Sequence, residues 1–486
     1  MSGRTEGERA EKQSRTMKHW LLRSDPADHA RELGRVFAPL FYGFVRYVME
    51  SAALSGTERV YYFTREGDFF AALHESIARY DDTVRFPESR ILPVSRLATF
   101  AASLHEVSIA EFDRIWWLYP NQSLGAFLKT IGLSPERLGS LPVEFHLNLD
   151  DPIPGIAEDE RVIRLFADPR FRFILQGHIA AKRALLQRLL DENGITPDSP
   201  AVTVVDIGWS GSIQSNLAHL RPNTRFDGFY FSVREPECGL PPNVTRRCFL
   251  EDVVTHGASK EVRDALFRIG PLELLCNSPL GTVIGYAIQD DRLDVLRRPD
   301  EKENVTFYEF TRFFQQGVFE RVAELSKGEP QTSLALRGGS ARRLLATLLY
   351  DPPKAIANEY LRLHHDETFG LGGFVNPNDR VPWSLVLGCL FLKRARRWLN
   401  ERLRAMGWSA GSLVASNMRP LQWWIIRKRY PFLFAGDGKK ATDDTAVQES
   451  DHGARFVGRS SGLTVLNYRD SPLARHGQDE TARRAS

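Results

Sequence analysis

Two glycines and two serines follow a short β-type run in the segment TVVDIGWSGSIQ. Gly208 and Gly211 allow backbone conformations in which several N–H groups point at one ligand. Ser210 and Ser212 add hydroxyl donors, and we expect Ser212 at the N-cap of the next helix, whose free N–H groups attract anions. Asp206 ends the strand, where it could accept hydrogen bonds from sugar hydroxyls or hold a hydrated Mg²⁺. The segment therefore predicts a phosphate-binding turn.

Another turn, TREGD, lies earlier in the chain, between the strand VYYF and a helix. In chain order, TREGD is the first turn and DIGWSGS is the second. Arg65 could bind an anion through two N–H groups, and Gly67 permits close approach of the backbone. Ser95 and Arg96 end the next strand, RILPVSR, and bring a second guanidinium to the same edge of the sheet. Each turn also has a simpler interpretation. DIGWSGS could be an ordinary strand–helix connection, and Arg65 of TREGD could form a surface ion pair with a neighbouring carboxylate.

The two turns together predict two anion sites with a carboxylate between them. This pattern suits a ligand that carries two phosphate groups on a polyol. It suits a nucleoside triphosphate poorly, because the sequence contains no GxxxxGK[ST] motif.

The elements that would position these turns alternate between strand and helix. Apolar β-type runs occur at VYYF, RILPVSR, AVTVVDIG, RFDGFYFSV and RRCFLEDVV, and helical patterns separate them. The alternation predicts an α/β fold with a mostly parallel, Rossmann-like sheet. Residues 100–200 lack strand patterns and predict a helical insertion.

The chain divides by composition into four parts. Residues 1–25 are polar and predict a disordered lead, and residues 26–300 contain the α/β pattern with its insertion. Residues 301–435 show helical periodicity and include a segment, 390–435, that mixes basic residues with tryptophans. Residues 436–486 are rich in Asp, Ser, Gly, Thr and Arg and predict a disordered tail.

The basic aromatic segment is typical of peripheral contact with the inner face of the cell membrane, with tryptophans at headgroup depth and cations near anionic lipid. The alternative is a helical pair that packs on the main domain and exposes its cations to water. The cations and tryptophans of this segment include Lys393, Arg394, Arg396, Arg397, Trp398, Arg402, Arg404, Trp408, Trp423, Trp424, Arg427, Lys428 and Arg429.

Composition argues against several classes of protein. The net charge is +3, from 64 basic and 61 acidic residues, so we expect no nucleic-acid partner. The 4 cysteines form no CxxC pair, and no secretory signal pattern opens the sequence. No uninterrupted apolar run reaches the roughly 18 residues of a membrane span. We therefore expect a cytoplasmic protein.

In combination, VYYFTREGDFF, PVSR and VVDIGWSGSIQ resemble a module of bacterial polysaccharide biosynthesis proteins that contains YFLxRDGxxL, VSR and DIGWSGxxQ. The resemblance covers roughly residues 35–290. Such modules often follow a haloacid-dehalogenase (HAD) domain or a glycosyltransferase, and they are often described as HAD-like. Glu66 replaces the Asp that is usual in the module.

The same residues are similar to type I phosphoribosyltransferases, whose ligand, 5-phosphoribosyl 1-diphosphate, carries phosphate groups at two ends of a ribose. By this resemblance, Arg65 and Gly67 match the diphosphate loop, and Asp206 matches an acidic residue that contacts the ribose hydroxyls. Residues 210–212 match the 5-phosphate loop. The family usually has two adjacent acidic residues where this sequence has one.

The resemblance implies transfer of a phosphoribosyl group to a hydroxyl of a glycan, which could be lipid-linked. Mg²⁺ and the two arginines would stabilise the departing diphosphate. Glu66 and Glu273 are candidate bases for the acceptor hydroxyl, although the simpler interpretation of Glu273 is a carboxylate on a helix surface.

Two alternatives remain open from the sequence. One is a HAD-like hydrolase of sugar phosphates, which would need a nucleophilic Asp and a second Asp two residues later. Asp206 is instead followed by Ile-Gly. The other is a non-catalytic module that binds phosphorylated sugars within a biosynthetic complex.

Overall fold

The computed structural model describes residues 25–81, 84–116, 121–233, 239–250, 270–328, 334–363, 365–366, 374–375, 380–405, 408–422 and 424. Nearly all of the predicted disordered lead and the whole predicted tail lie outside the described residues. The end of the fifth predicted strand, residues 251–254, also lies outside them. So do four residues of the basic aromatic segment, Trp423, Arg427, Lys428 and Arg429.

A sheet of five parallel strands forms the centre of the fold, in the order β2-β1-β3-β4-β5. This arrangement confirms the predicted α/β fold. The strands are β1 (Arg59–Phe63), β2 (Glu88–Leu92), β3 (Ala201–Trp209), β4 (Arg225–Val233) and β5 (Val244–Cys248).

Helices cover both faces of the sheet, so its strands are apolar on both sides. Alternate residues of β1 show this clearly. Val60 and Tyr62 pack in the core that contains α1 (Pro26–Leu54) and α2 (Glu66–Tyr80). Tyr61 and Phe63 pack on the opposite face. The core on that face contains α3 (Arg96–Ser103), α8 (Pro169–Glu192) and α9 (Ser212–Leu220).

The chain between β2 and β3 is helical, and much of it surrounds a core of its own. Its aromatic centre contains Phe112, Trp116, Phe127, Phe166 and Phe171. The last helix, α8, begins in this core and then packs on the sheet. The helices after α3 are α4 (Ile109–Trp116), α5 (Leu124–Ile131), α6 (Leu141–Glu144), α7 (Glu160–Ala167) and α8 (Pro169–Glu192), with a 3-10 turn at Pro135–Leu138.

A β-hairpin that the sequence analysis did not predict follows the sheet. α10 (Gly270–Cys276) leads into β6 (Thr282–Gln289), which pairs with β7 (Arg292–Arg298). Asp290 and Asp291 connect the two strands with φ values of 47° and 61°. Tight hairpin turns need positive φ at both central residues, which Asp adopts more readily than most residues.

The remaining elements are mainly helical, as predicted for the C-terminal region. They are α11 (Glu301–Thr306), a π-helical turn (Phe307–Thr311), α12 (Arg312–Gly328), α13 (Leu334–Tyr350), α14 (Lys354–Arg362), β8 (His365–Asp366), β9 (Phe374–Val375), α15 (Trp383–Phe391), α16 (Lys393–Ala405) and α17 (Ser409–Ala415). None of the helices in the described part of the chain combines the length and apolarity needed to cross a membrane.

The C-terminal helices share one core with the first helix. α12 crosses α1 where two glycines meet. A Cβ at Gly34 would lie 1.9 Å from the carbonyl oxygen of Phe314, and a Cβ at Gly317 would lie 1.8 Å from that of Arg31. Phe314 also contacts the rings of two phenylalanines of α1. The helices after residue 300 therefore complete the core that covers one face of the sheet.

Candidate functional site

Strand order reverses between β1 and β3. The chain crosses from β1 to β2 on one side and later places β3 on the other side of β1. The carboxyl ends of two such strands open the crevice in which open α/β sheets bind ligands. Tyr62 pairs with Val205, so Asp206 follows at the level where β1 ends. Both predicted turns therefore leave the sheet at this crevice.

Arg65 holds the first turn in a strained conformation. Its φ of 68° and ψ of −80° lie near those of the classic γ-turn, which is rare and costly. The guanidinium lies 3.3 Å from the carboxylate of Glu303 and 3.6 Å from that of Glu66, with 28% of the side chain exposed. Burial acts to lower the pKa of Arg65, but these carboxylates outweigh it and the pKa rises. Arg65 thus forms an ion pair, as in the simpler interpretation of this turn. The pair lies within the crevice and not on an outer surface.

Two carboxyl groups of the crevice bind their protons unusually tightly. Burial raises the pKa of Glu66 to about 8, with Arg65 opposing the rise and Glu273 and Asp206 adding to it. Burial also raises the pKa of Asp206 to about 7, although a backbone N–H at 2.8 Å and the charge of Arg96 oppose the rise. At neutral pH, Glu66 is therefore mostly protonated and Asp206 is partly ionised. Such perturbed groups in a crevice indicate a candidate functional site.

Glu273 connects the groups of the site. It is half-buried in the first turn of α10, and its charge acts on Arg65, Glu66 and Asp206 alike. The structure therefore places Glu273 within the electrostatic cluster. Glu273 is therefore both a half-buried carboxylate on its helix and a neighbour of the crevice groups.

The second turn is tighter than predicted. β3 continues through Trp209, so only Ser210 and Gly211 connect it to α9. Gly211, with φ 59°, caps the helix, and Ser212 is its first residue. This corrects the expectation that Ser212 is the N-cap. Both serines are half-buried at the helix N-terminus, where free N–H groups favour an anion.

Two of the glycines in the predicted turns, Gly208 and Gly67, lie where a side chain would collide with neighbouring backbone atoms. Gly208 pairs with Ser232 inside the sheet, where a Cβ would lie 1.5 Å from the Ser232 carbonyl oxygen. Gly67 lies in α2, where a Cβ would lie 3.1 Å from the carbonyl carbon of Tyr62. Both glycines therefore set the positions of the elements that carry the turns.

Ser95 and Arg96 lie at the start of α3, which corrects their predicted place at the end of β2. Ser95 caps α3 by accepting a backbone N–H, and its hydroxyl donates to the carbonyl of Val283 at 2.5 Å. Its hydroxyl thus ties α3 to the hairpin. Arg96 is close enough to oppose the rise in the pKa of Asp206, so a second guanidinium does reach the crevice.

Sequence reasoning missed two partners of Arg65. Glu303 lies in α11, and Thr282 begins β6 with its hydroxyl 3.5 Å from a guanidinium nitrogen of Arg65. Burial raises the pKa of Glu303, and Arg65 opposes the rise. Thr282 lies 217 positions and Glu303 lies 238 positions from Arg65 in the sequence. No local pattern could have identified them.

Arg246, on β5, supports the second turn and was also missed. Its Nη2 donates to the carbonyl of Gly211 at 3.0 Å and to the hydroxyl of Ser215 at 3.1 Å. Its Nε donates to Gln214 at 3.3 Å, and Gln214 in turn donates to one carbonyl of β4 and one of β5. Gln214 is the last residue of DIGWSGSIQ, so the motif contained one residue of this hydrogen-bond network around the second turn.

The fit of a metal ion depends mainly on Asp206. Among the residues that the structure describes, no three His, Cys, Asp or Glu side chains are arranged to share an ion. A Mg²⁺ at Asp206 would therefore take most of its ligands from water and from phosphate oxygens, which is its usual manner of binding in phosphate sites.

Comparison with known proteins adds no assignment. No protein-family model matches the chain, and a search of curated proteins finds no similar sequence.

Proposed function

We propose that this chain is a phosphoribosyltransferase-like glycosyltransferase of surface-polysaccharide biosynthesis. It transfers a phosphoribosyl group from 5-phosphoribosyl 1-diphosphate to a hydroxyl of a glycan. One observation carries the proposal: Arg65, Glu66, Asp206 and Glu273 meet where the strand order reverses, and Arg65 keeps a strained backbone there. Strain of this kind clusters at ligand-binding and catalytic residues.

In this proposal, Arg65 and Arg96 bind the diphosphate of the donor. Arg65 is paired with Glu66 and Glu303, so an incoming diphosphate must exchange with a carboxylate. The raised pKa of Glu66 supports this exchange, because a protonated Glu66 no longer neutralises the guanidinium. Residues 210–212 bind the 5-phosphate through hydroxyls and the N–H groups at the start of α9.

The transfer step breaks the bond between ribose C1 and the diphosphate oxygen and forms a bond from C1 to the acceptor oxygen. The proton of the acceptor hydroxyl passes to a carboxylate. The candidates are Glu273 and the ionised form of Glu66, which is the minor form of that residue at neutral pH. Asp206 accepts hydrogen bonds from the ribose hydroxyls, or it would hold a hydrated Mg²⁺ that supplies positive charge to the diphosphate. The two arginines stabilise the charge that develops on the diphosphate.

A HAD-like hydrolase receives less support from the same geometry. Side chains alternate along β3, so the residue two positions after Asp206 faces the same side of the sheet. That residue is Gly208, which packs against β4 and carries no carboxylate. The acid/base partner of a HAD nucleophile would have to come from elsewhere.

The test is to incubate the protein with 5-phosphoribosyl 1-diphosphate, Mg²⁺ and a panel of glycan acceptors, including lipid-linked ones. We expect diphosphate release that depends on the acceptor. Orthophosphate release from simple sugar phosphates would instead indicate the hydrolase. Donor binding in calorimetry without turnover on any acceptor would indicate the non-catalytic module.

Asp206→Asn tests the site within this assay. We expect at least a hundredfold loss of turnover without any loss of thermal stability, because the amide cannot replace a carboxylate toward Mg²⁺ or ribose and carries no buried charge. The matched control is Asp198→Asn, an exposed carboxylate just before β3, which should retain full activity. Unchanged activity of Asp206→Asn would remove this residue from the site.

A further inference from the structure

α15 contains no charged residue, yet one of its sides faces outward. Its inner side chains Leu385, Val386 and Cys389 pack on the main core. Trp383, Leu387 and Phe391 recur every four residues and therefore share one face of the helix. These three side chains are 53%, 57% and 84% exposed, and the adjoining Leu392 is 60% exposed. A helix that is apolar on all sides is normally buried or in contact with lipid.

Exposed cations follow this apolar face immediately. α16 begins at Lys393 and continues with Arg394, Arg396 and Arg397, all exposed. Two leucines on its other side, Leu399 and Leu403, are buried in the main core and fix the helix in place. We refer to residues 383–398 as the α15–α16 elbow.

We propose that the α15–α16 elbow docks on the surface of a lipid bilayer that contains anionic headgroups. The exposed face of α15 and Leu392 would enter the boundary between headgroups and acyl chains, and the cations of α16 would contact the headgroup phosphates. The 9 residues of α15 extend over about 13 Å, so the helix lies in the interface and does not cross it. This proposal does not depend on the transferase activity.

Charge favours a bilayer over a second copy of this chain. Residues 383–405 contain six Lys and Arg residues and one Glu. A symmetric contact between two such surfaces would bring like charges together, whereas anionic lipid complements them. The aliphatic Leu387 and Leu392 favour lipid over nucleic acid, since single-stranded nucleic acid stacks on aromatic rings and not on aliphatic groups.

The experiment is co-sedimentation of the full chain with vesicles of phosphatidylcholine alone or mixed with phosphatidylglycerol. We expect binding to the anionic vesicles that weakens as salt is added. The double variant Leu387→Ser/Phe391→Ser should bind at least tenfold more weakly, because two large apolar side chains are lost from the interface. Arg394→Glu/Arg397→Glu should abolish the preference for anionic vesicles.

The matched control is Phe173→Ser in the helical insertion, where the phenylalanine is 78% exposed. It should bind as well as the unchanged protein. Equal vesicle binding by Leu387→Ser/Phe391→Ser, with a normal unfolding profile, would overturn the proposal. Two other results for this double variant would also overturn the proposal. One is that the unchanged protein is a dimer in light scattering and the variant is a monomer. The other is that the variant loses affinity for single-stranded RNA and not for vesicles.

Discussion

The two turns at the crevice reach positive φ in opposite ways. After β3, Gly211 adopts φ 59° at little cost. After β1, Arg65 adopts φ 68° although it has a side chain, which costs on the order of 1–3 kcal/mol. A glycine would be the more stable choice at both positions. The difference indicates that the first turn retains a side chain for its chemistry, whereas the second retains an open backbone.

The turns also differ in the charges around them. Carboxylates of Glu66, Glu273 and Glu303 act on Arg65, whereas the guanidinium of Arg246 lies against the second turn. Near neutral pH the group that titrates beside the first turn is therefore Glu66, and the group that titrates near the second turn is Asp206, five residues before Gly211. Substitutions at four positions test this comparison, from the largest expected effect to the smallest.

Gly208→Ala should have the largest effect, with a loss of more than about 4 kcal/mol of unfolding free energy or a failure to fold. The added Cβ would lie 1.5 Å from a backbone oxygen of β4, so the two strands would have to separate. Denaturant titration monitored by circular dichroism measures the loss. Stability close to that of the unchanged protein would show that β3 and β4 are not this close.

Glu66→Gln should remove much of the pH dependence of stability. The pKa of Glu66 is about 8 in the folded chain and ordinarily 4.5, so the folded state binds more protons between these values. Stability should therefore fall by roughly 2–4 kcal/mol as pH rises from 4.5 to 8.5 in the unchanged protein. The raised pKa of Asp206 should likewise make the folded state less stable as pH rises.

Denaturant titrations at several pH values measure this slope. Glu75→Gln, a substitution at an exposed position of α2, is the control and should keep the full slope. A slope that is as steep in Glu66→Gln as in the unchanged protein would contradict the assigned burial of Glu66.

Gly211→Ala should cost about 1–2 kcal/mol, much less than Gly208→Ala, although the two glycines are three residues apart. Its Cβ would meet only the end of the Arg246 side chain, 2.7 Å from the guanidinium carbon, and that side chain can move. Thermal unfolding compares the two variants. Gly177→Ala, in the interior of α8 with open space around it, is the control and should be neutral or stabilising.

Arg65→Gly and Arg65→Ala should differ by about 1 kcal/mol in favour of glycine, the smallest effect of the series. Both variants lose the ion pairs with Glu66 and Glu303, but only glycine relieves the strained φ. Chemical denaturation measures the difference, and both variants should lack transferase activity. An alanine variant as stable as the glycine variant would show that the backbone of residue 65 is not strained.

Much of the sheet could be predicted because its strands are short, apolar on both faces and separated by helical patterns. Val60 and Tyr62 face one core and Tyr61 and Phe63 the other, so the run VYYF indicates a central strand. The hairpin was missed because its turn is Asp-Asp, whereas Asn-Gly or Asp-Gly is the usual signal for such a turn.

The sequence could predict mainly those site residues that lie in or beside the two turns. Arg65 and Glu66 follow β1, and Asp206 lies in β3 near the level where β1 ends, so their types and positions were enough to bring them together. Glu303 and Arg246 reach the same crevice from distant elements, and only the packing of those elements places them there. The strained backbone of Arg65 could not be predicted from the sequence either, because residue type alone would assign the positive φ of this turn to Gly67.

The close crossing of Gly34 and Gly317 has a consequence for how the chain is made. These glycines lie about 280 residues apart, and a ribosome adds roughly 5–20 residues per second. α1 therefore leaves the ribosome roughly 15–60 s before α12 can cover it. During that interval the phenylalanines of α1 have no permanent partner on the α12 side, and a chaperone would find its binding site there. α1, the first helix in the described part of the chain, is thus among the last helices to be enclosed.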